Sequence, residues 1–264
     1  ATNVLDAPVV VLTSVGLEHT RWLGPTLTDI AREKLAVVPP GGTLVYGPLP
    51  AEALDEVRAI DAHRIGVSVP LGARLPGYQR VNAALAVTAV DALLGLDAPE
   101  GIVPDALDSA LAVRVEESVL VPGRFQRVAD APLTIVDGAH NPAGMVALAE
   151  ALPAAVGGRR LVACVSILDD KDAAGMLRPL LEHCDGAVFT ASANPRALSP
   201  ATLGSLAGQL GFTGTVAVER EPRAALRRAQ ALAGDDGAVI ATGSIYLVAD
   251  LLRTGAAAKR VSSL

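Results

Sequence analysis

The sequence predicts an α/β protein, and three observations carry that prediction. Of the 264 residues 51% are hydrophobic but only 3% aromatic, so the core is built from Ala, Leu and Val, which fill helices and buried parallel strands. Short β-branched runs alternate with longer segments whose apolar residues recur at helical spacing. Pro and Gly punctuate most of the changes from one pattern to the other.

Taken in order, Val9 to Thr13 reads as a strand. Gly24-Pro25-Thr26 opens a helix with Leu27, Ile30, Ala31, Leu35 and Val38 on its apolar side. Pro39-Pro40-Gly41-Gly42 stops that helix, Leu44 to Tyr46 returns as a strand, and a helix from about Ala51 to Ile60 precedes a strand at Ile65 to Val69. Helices follow over Gln79 to Leu94 and from Pro104 through about Val113. Past Val121-Pro122-Gly123 the rhythm becomes regular, with strands at Leu133 to Val136, Leu161 to Val165, Ala187 to Thr190, Thr215 to Val218 and Ala238 to Thr242. Helices begin near Pro142, Lys171, Pro200, Pro222 and Ile245. Strands separated by helices of that length need crossovers, hence a parallel sheet. The expected organisation is a region over 1–118 that has few strands and starts abruptly, then a Rossmann-like domain over 119–264. Its last residues, Thr254 to Leu264, are expected to fray.

Composition narrows the function. A net charge of -6 and a pI near 5.2 argue against general attraction to nucleic acid or to an acidic membrane surface. No run approaches the roughly 18 apolar residues of a membrane span, and no basic-then-apolar leader opens the chain. Cys164 and Cys184 sit in or beside apolar runs at no metal-type spacing, which suits reduced core thiols and a cytoplasmic setting.

In open parallel sheets ligands sit at the carboxyl ends of strands. The strand ending at Val136 runs into Asp137-Gly138-Ala139-His140-Asn141-Pro142, where Asn141 suits a helix cap and Pro142 a first helical turn. Such a helix start attracts anions. On local chemistry alone, a capped turn with a solvent-facing histidine explains the segment equally. The strand ending at Thr242 likewise runs into Gly243-Ser244, placing the Ser244 hydroxyl and amide where His140 can share a crevice with them. Earlier, His19 follows the first strand and Lys34 lies on the next helix; taken singly these are an ordinary loop histidine and a solvated helix face.

As an ordered set, these segments resemble the folylpolyglutamate synthase and dihydrofolate synthase family of Mur-type ligases. The resemblance runs through Thr13-Ser14-Val15-Gly16-Leu17-Glu18-His19-Thr20, Leu23-Gly24-Pro25-Thr26-Leu27, Ile30-Ala31-Arg32-Glu33-Lys34, Gln79-Arg80-Val81-Asn82-Ala83-Ala84 and Pro122-Gly123-Arg124-Phe125-Gln126. It continues through the Asp137–Pro142 hexapeptide, Asp170-Lys171-Asp172 and Thr242-Gly243-Ser244-Ile245-Tyr246. Glu18 stands where the family more often has Asp, Leu35-Ala36 where Ala-Gly is usual, and Tyr78 where His is frequent.

The resemblance implies the tail of a P-loop-type central domain over 1–118 and a glutamate-ligase domain over 119–264. The reaction it implies activates a folate or dihydropteroate carboxylate with ATP and magnesium as an acyl phosphate, which the amine of L-glutamate then attacks. It implies a magnesium ligand at His19 and a carbamylated lysine at Lys34, since a free ammonium cannot coordinate a metal. It implies nucleotide contacts from Asn82, Arg124 and Asp137, and glutamate contacts from His140 and Ser244, with His140 also catalytic. A monomer is expected of the complete enzyme. Asp170-Lys171-Asp172 matches a family signature whose job the sequence leaves unassigned.

One element of that chemistry is missing from these residues. A phosphate loop of the form G-x-x-x-x-G-K-[ST] wraps the β- and γ-phosphates in backbone amides. The only lysines are Lys34, Lys171 and Lys259, none preceded by glycine. The expectation is half a catalytic site, completed by an amino-terminal P-loop portion in cis or in trans. Another Mur-type amino-acid ligase, or a remnant that binds nucleotide or glutamate without turnover, is the alternative.

Overall fold

The computed structural model describes residues 6–17, 20–68, 75, 77–95 and 121–253. The helix expected from Pro104 and the frayed end expected from Thr254 lie outside them. The chain divides into two compact units, 1–119 and 120–264.

In the first unit, β1 (Val9–Leu12), β2 (Thr43–Tyr46) and β3 (His63–Gly66) form a parallel sheet in that order. A short helix α1 (Thr20–Leu23) precedes α2 (Leu27–Leu35), and α3 (Ala51–Ala59) and α4 (Gly77–Leu94) complete the described elements. Helix α2 starts where it does because Thr26 and Asp29 close a capping box: the Asp29 N–H donates to Thr26 Oγ1 at 3.1 Å and the Thr26 N–H to Asp29 Oδ2 at 3.2 Å. Leu12, Leu44, Ile30, Ala31, Leu35, Ala53 and Val57 fill one side of the sheet, while Val45, Val67, Ala84 and Leu85 fill the other against α4. Strand β3 begins two residues before the expected Ile65, because its register pairs His63 with Thr43. His63 and Arg64 are exposed on this strand, so apolar patterning hides its true start.

The second unit is a six-stranded sheet in the order β4-β5-β9-β6-β7-β8. Strands β5 (Leu133–Val136), β6 (Leu161–Val165), β8 (Thr215–Val218) and β9 (Ala238–Thr242) have the expected bounds, and β7 (Gly186–Phe189) starts one residue early. Strand β4 (Gln126–Asp130) is an addition: it pairs antiparallel with β5. Its Gln-Arg-Val-Ala-Asp sequence is too polar to read as a buried strand, since it lies at a sheet edge. Helices α5 (Pro142–Val156), α6 (Ala173–Leu181), α7 (Pro200–Gln209), α8 (Pro222–Ala233) and α9 (Ile245–Leu252) fill the crossovers and the end. Side chains of Asn141, Asp172, Ser199, Glu221 and Ser244 cap the five helices in turn. Lys171, expected near the start of α6, therefore stands before the cap.

Alternation along the strands sorts the helices onto two faces. Leu161, Ala163 and Val165 point with Ala187, Phe189 and Ile240 toward Met145, Leu148, Leu152, Met176, Leu177 and Leu203 of α5, α6 and α7. Val162, Cys164, Val188, Val239 and Ala241 point the other way, toward Ala225, Ala229 and Ala233 of α8 and Val248 of α9. Each fully buried Leu or Met here contributes about 2 kcal/mol of burial free energy. Cys164 and Cys184 are free thiols, both pushed by burial from 9.0 up to about 12. Among the described residues no helix is long and apolar enough to cross a membrane.

This winding positions a site. Strands β5 and β9 are parallel neighbours, yet β5 leads to α5 on one face and β9 to α9 on the other. Chains that part to opposite faces leave a crevice at the carboxyl ends of the two strands.

Candidate functional site

Two turns meet at that crevice. Beyond β5, the Asp137 carboxylate is 2% exposed and accepts from two backbone amides: Oδ1 from the Ala139 N–H and Oδ2 from the Phe125 N–H, both at 2.8 Å. The second bond reaches back to the Pro122–Phe125 turn, and the Gly138 N–H donates to Gly123 O at 2.8 Å to close the clamp. Phe125 has φ +48, the one non-glycine residue with positive φ among those described. A left-handed backbone of this kind persists where the surroundings over-determine it. Asp137 and Gly138 supply that constraint, and the result fixes the backbone that carries Arg124.

Gly138 has a steric reason to be glycine. A Cβ there would lie 3.0 Å from Arg124 Nη1 and 3.2 Å from Ile245 Cγ2, so the bare backbone lets the guanidinium and the start of α9 close over the turn. His140, half-buried, has Nδ1 2.9 Å from Gly138 O. A carbonyl partner makes Nδ1 the donor, which leaves Nε2 as the acceptor of the neutral ring. Asn141 Oδ1 then accepts from the Gly144 N–H at 2.7 Å and starts α5.

The turn beyond β9 is bonded to this one: the Gly243 N–H donates to Ala139 O at 3.1 Å. Gly243 has φ +97, and a Cβ there would come 2.6 Å from Ser166 O, so no other residue fits without strain. Ser244 Oγ accepts from the Tyr246 N–H at 3.1 Å, leaving its O–H as a donor, although the residue is only 1% exposed. Asp137, His140 and Ser244 are thus carried by two hydrogen-bonded turns at the heads of neighbouring strands, and Arg124 by the Pro122–Phe125 turn clamped to the first of them. Sequence reasoning had no signal for the left-handed Phe125, which only the clamp makes visible.

Asp170-Lys171-Asp172 resolves into separate local jobs. Asp172 caps α6, accepting from the Gly175 N–H at 2.8 Å. Asp170 lies between Lys171 and Arg196, at 3.4 and 3.3 Å.

In the first unit, Lys34 is half-buried on α2 and its Nζ donates to Ser14 O at 3.5 Å, beyond the carboxyl end of β1. Thr13, Ser14, Glu33 and Lys34 line a cavity of about 410 Å³. Asn82 is exposed on α4. His19 lies outside the described residues. Among those described, no group of three or more His, Cys, Asp and Glu side chains could hold a metal ion, and an unmodified Lys34 ammonium is no metal ligand.

Comparison with known proteins agrees with the geometry. Residues 123–245 match the Mur ligase, glutamate ligase domain. The dihydrofolate synthase/folylpolyglutamate synthase of Mycobacterium tuberculosis is 32% identical over 246 residues, covering 79% of this chain and 50% of that protein. The crystal structures of the Mycobacterium tuberculosis folylpolyglutamate synthase complexed with ADP and AMPPCP superpose with a TM-score of 0.80 at 28% identity, over 95% of this chain and 64% of that one. A bifunctional folylpolyglutamate synthase/dihydrofolate synthase with Mn, AMPPNP and L-glutamate bound gives 0.72 at 28% identity, over 95% and 62%. The chain spans about half the length of the curated relatives it matches.

Proposed function

The chain belongs to the folylpolyglutamate synthase and dihydrofolate synthase family of Mur-type ligases, and on that premise we propose that it is the nucleotide- and glutamate-facing part of an ATP-dependent ligase. The acceptor is the carboxylate of a folate or a dihydropteroate. Residues 1–119 then serve as part of the central, ATP-binding domain and 120–264 as the glutamate-ligase domain.

One observation carries the reading: the clamp that fixes Arg124 beside Gly138, bonded through Ala139 and Gly243 to the turn bearing Ser244. ATP supplies the phosphoryl group that turns the acceptor carboxylate into an acyl phosphate. Arg124 suits phosphate oxygens because a guanidinium presents paired donors in a plane. Asp137 fixes the backbone that carries that arginine, and a carboxylate at this place suits a ribose hydroxyl. Asn82 offers an amide to the adenine edge. At the crevice, His140 Nε2 accepts from the glutamate ammonium, and the Ser244 O–H donates to a glutamate carboxylate. Carbamylation would turn Lys34 from a cation into an anionic oxygen donor, the change a metal site beside Ser14 needs, with His19 as its partner.

These 264 residues contain no phosphate loop, so we expect no ligated product from them alone. Incorporation of radiolabelled glutamate into folate and dihydropteroate acceptors, with ATP and magnesium, tests both parts. Turnover with neither acceptor after a P-loop portion is supplied would sink the ligase reading and favour a non-catalytic binding remnant.

A further inference from the structure

A second cavity opens beyond β7 and β8, two and three strands away from β9 in the sheet order. Its volume is about 650 Å³, and its walls are the loop from Ala191 to Ala197, the turn from Arg220 to Arg223, and Asp250 and Arg253 at the end of α9. This is the size of a small-molecule site.

The walls are tied together by their own polar groups. The Ala193 N–H donates to Asp250 Oδ2 at 2.8 Å, and Asp250 Oδ1 faces Arg253 Nη1 at 3.5 Å. Arg223 donates to the carbonyls of Asp250 and Arg253. Glu221 spends its carboxylate on the amides of Arg223 and Ala224, closing the N-terminus of α8 to any anion. Asn194 Oδ1 accepts from the Arg196 N–H at 2.9 Å.

What remains uncommitted is of one kind. Both carboxylates and the Asn194 carbonyl are engaged, whereas the Arg220 guanidinium has no ion pair or hydrogen bond among the described residues and the Asn194 amide still has its N–H groups. Ser192, 6% exposed in the same wall, has a hydroxyl with no hydrogen-bond partner. A preformed concavity with spent acceptors and spare donors, one of them a planar guanidinium, selects oxyanions.

We propose that this cavity binds an oligocarboxylate, a short chain of glutamates with a free carboxylate on each residue, anchored by Arg220. The choice of glutamates over other oxyanions rests on the ligase reading above, since that reaction lengthens such chains. The site is a place where product, or an acceptor already carrying glutamates, is sensed apart from the crevice at His140.

Calorimetric titration of the full chain with γ-linked triglutamate, and separately with inorganic phosphate, at physiological salt tests it. The expected result is saturable triglutamate binding, weakened about tenfold or more by Arg220→Ala, the loss of one bidentate charge-assisted contact. Binding should be partly restored in Arg220→Lys and unchanged in His140→Ala. Because Arg220 is exposed, its variants should unfold at the wild-type temperature. No triglutamate binding, binding lost in His140→Ala but kept in Arg220→Ala, or phosphate binding that triglutamate does not displace (an adventitious ion only) would each overturn the proposal. Ligation is scored separately with labelled glutamate, so failure of the ligase reading and failure of this site give different results.

Discussion

At the scale of single residues, Asp137 links fold to function. Its carboxylate accepts amides from its own turn and from the Pro122–Phe125 turn, and the second of these bonds holds Phe125 left-handed. Asp137→Asn keeps an accepting oxygen but turns the other into a donor facing an N–H. It should lower the unfolding free energy by about 1–3 kcal/mol, measured in urea, and speed amide exchange at Phe125. Arg124 differs in being exposed. Arg124→Ala should leave stability within about 0.5 kcal/mol yet weaken ADP binding about tenfold once a P-loop portion is supplied. Equal stability losses in both variants would contradict this division of labour. The thiols of Cys164 and Cys184 make a further residue-level prediction. With folded pKa values raised from 9.0 to about 12, the folded state keeps protons that the unfolded state releases. Their contribution is therefore fully present below pH 9 and lost as pH rises toward 12. Urea unfolding from pH 8 upward should show that decline, and Cys164→Ala should reduce it.

At the scale of elements, the turn from β9 to α9 is tightly constrained. Gly243→Ala brings a Cβ to within 2.6 Å of Ser166 O at φ +97, so the backbone of two neighbouring strands must shift. A loss of at least about 1 kcal/mol follows, whereas an exposed glycine such as Gly208 in α7, with nothing near its Cβ position, should gain from the same change. Urea denaturation of the two variants checks the contrast. The sequence reveals the buried strands β5, β6, β8 and β9 because each is a short aliphatic run bounded by turn residues, and Pro at the first helical turn marks the starts of α5, α7 and α8. It conceals β4, whose Arg127 and Val128 are exposed at an edge, and blurs β3 for the same reason. The candidate site is legible only in part. Asp137, His140 and Ser244 stand out by their places at strand ends, but the bond from Phe125 to Asp137 spans twelve residues and two turns, and no local pattern encodes it.

At the scale of the whole molecule, the second unit is a doubly wound sheet whose chain parts to opposite faces at β5 and β9. That winding places a crevice at their carboxyl ends. On the proposed function, the clamp, the tautomer favoured by the Gly138 carbonyl and the capped starts of α5 and α9 are what would equip that crevice for an anionic nucleotide and an amino acid. The first unit brings Lys34 beside Ser14, and neither unit contains a phosphate loop. The proposed role of these 264 residues as the nucleotide- and glutamate-facing part of a ligase is the central claim. It is tested most directly by assaying radiolabelled glutamate incorporation with these 264 residues alone and again after adding a P-loop portion from a family member. The expected result is no product alone and ligated product on addition, abolished by His140→Ala. Ligation by the 264 residues alone would contradict it.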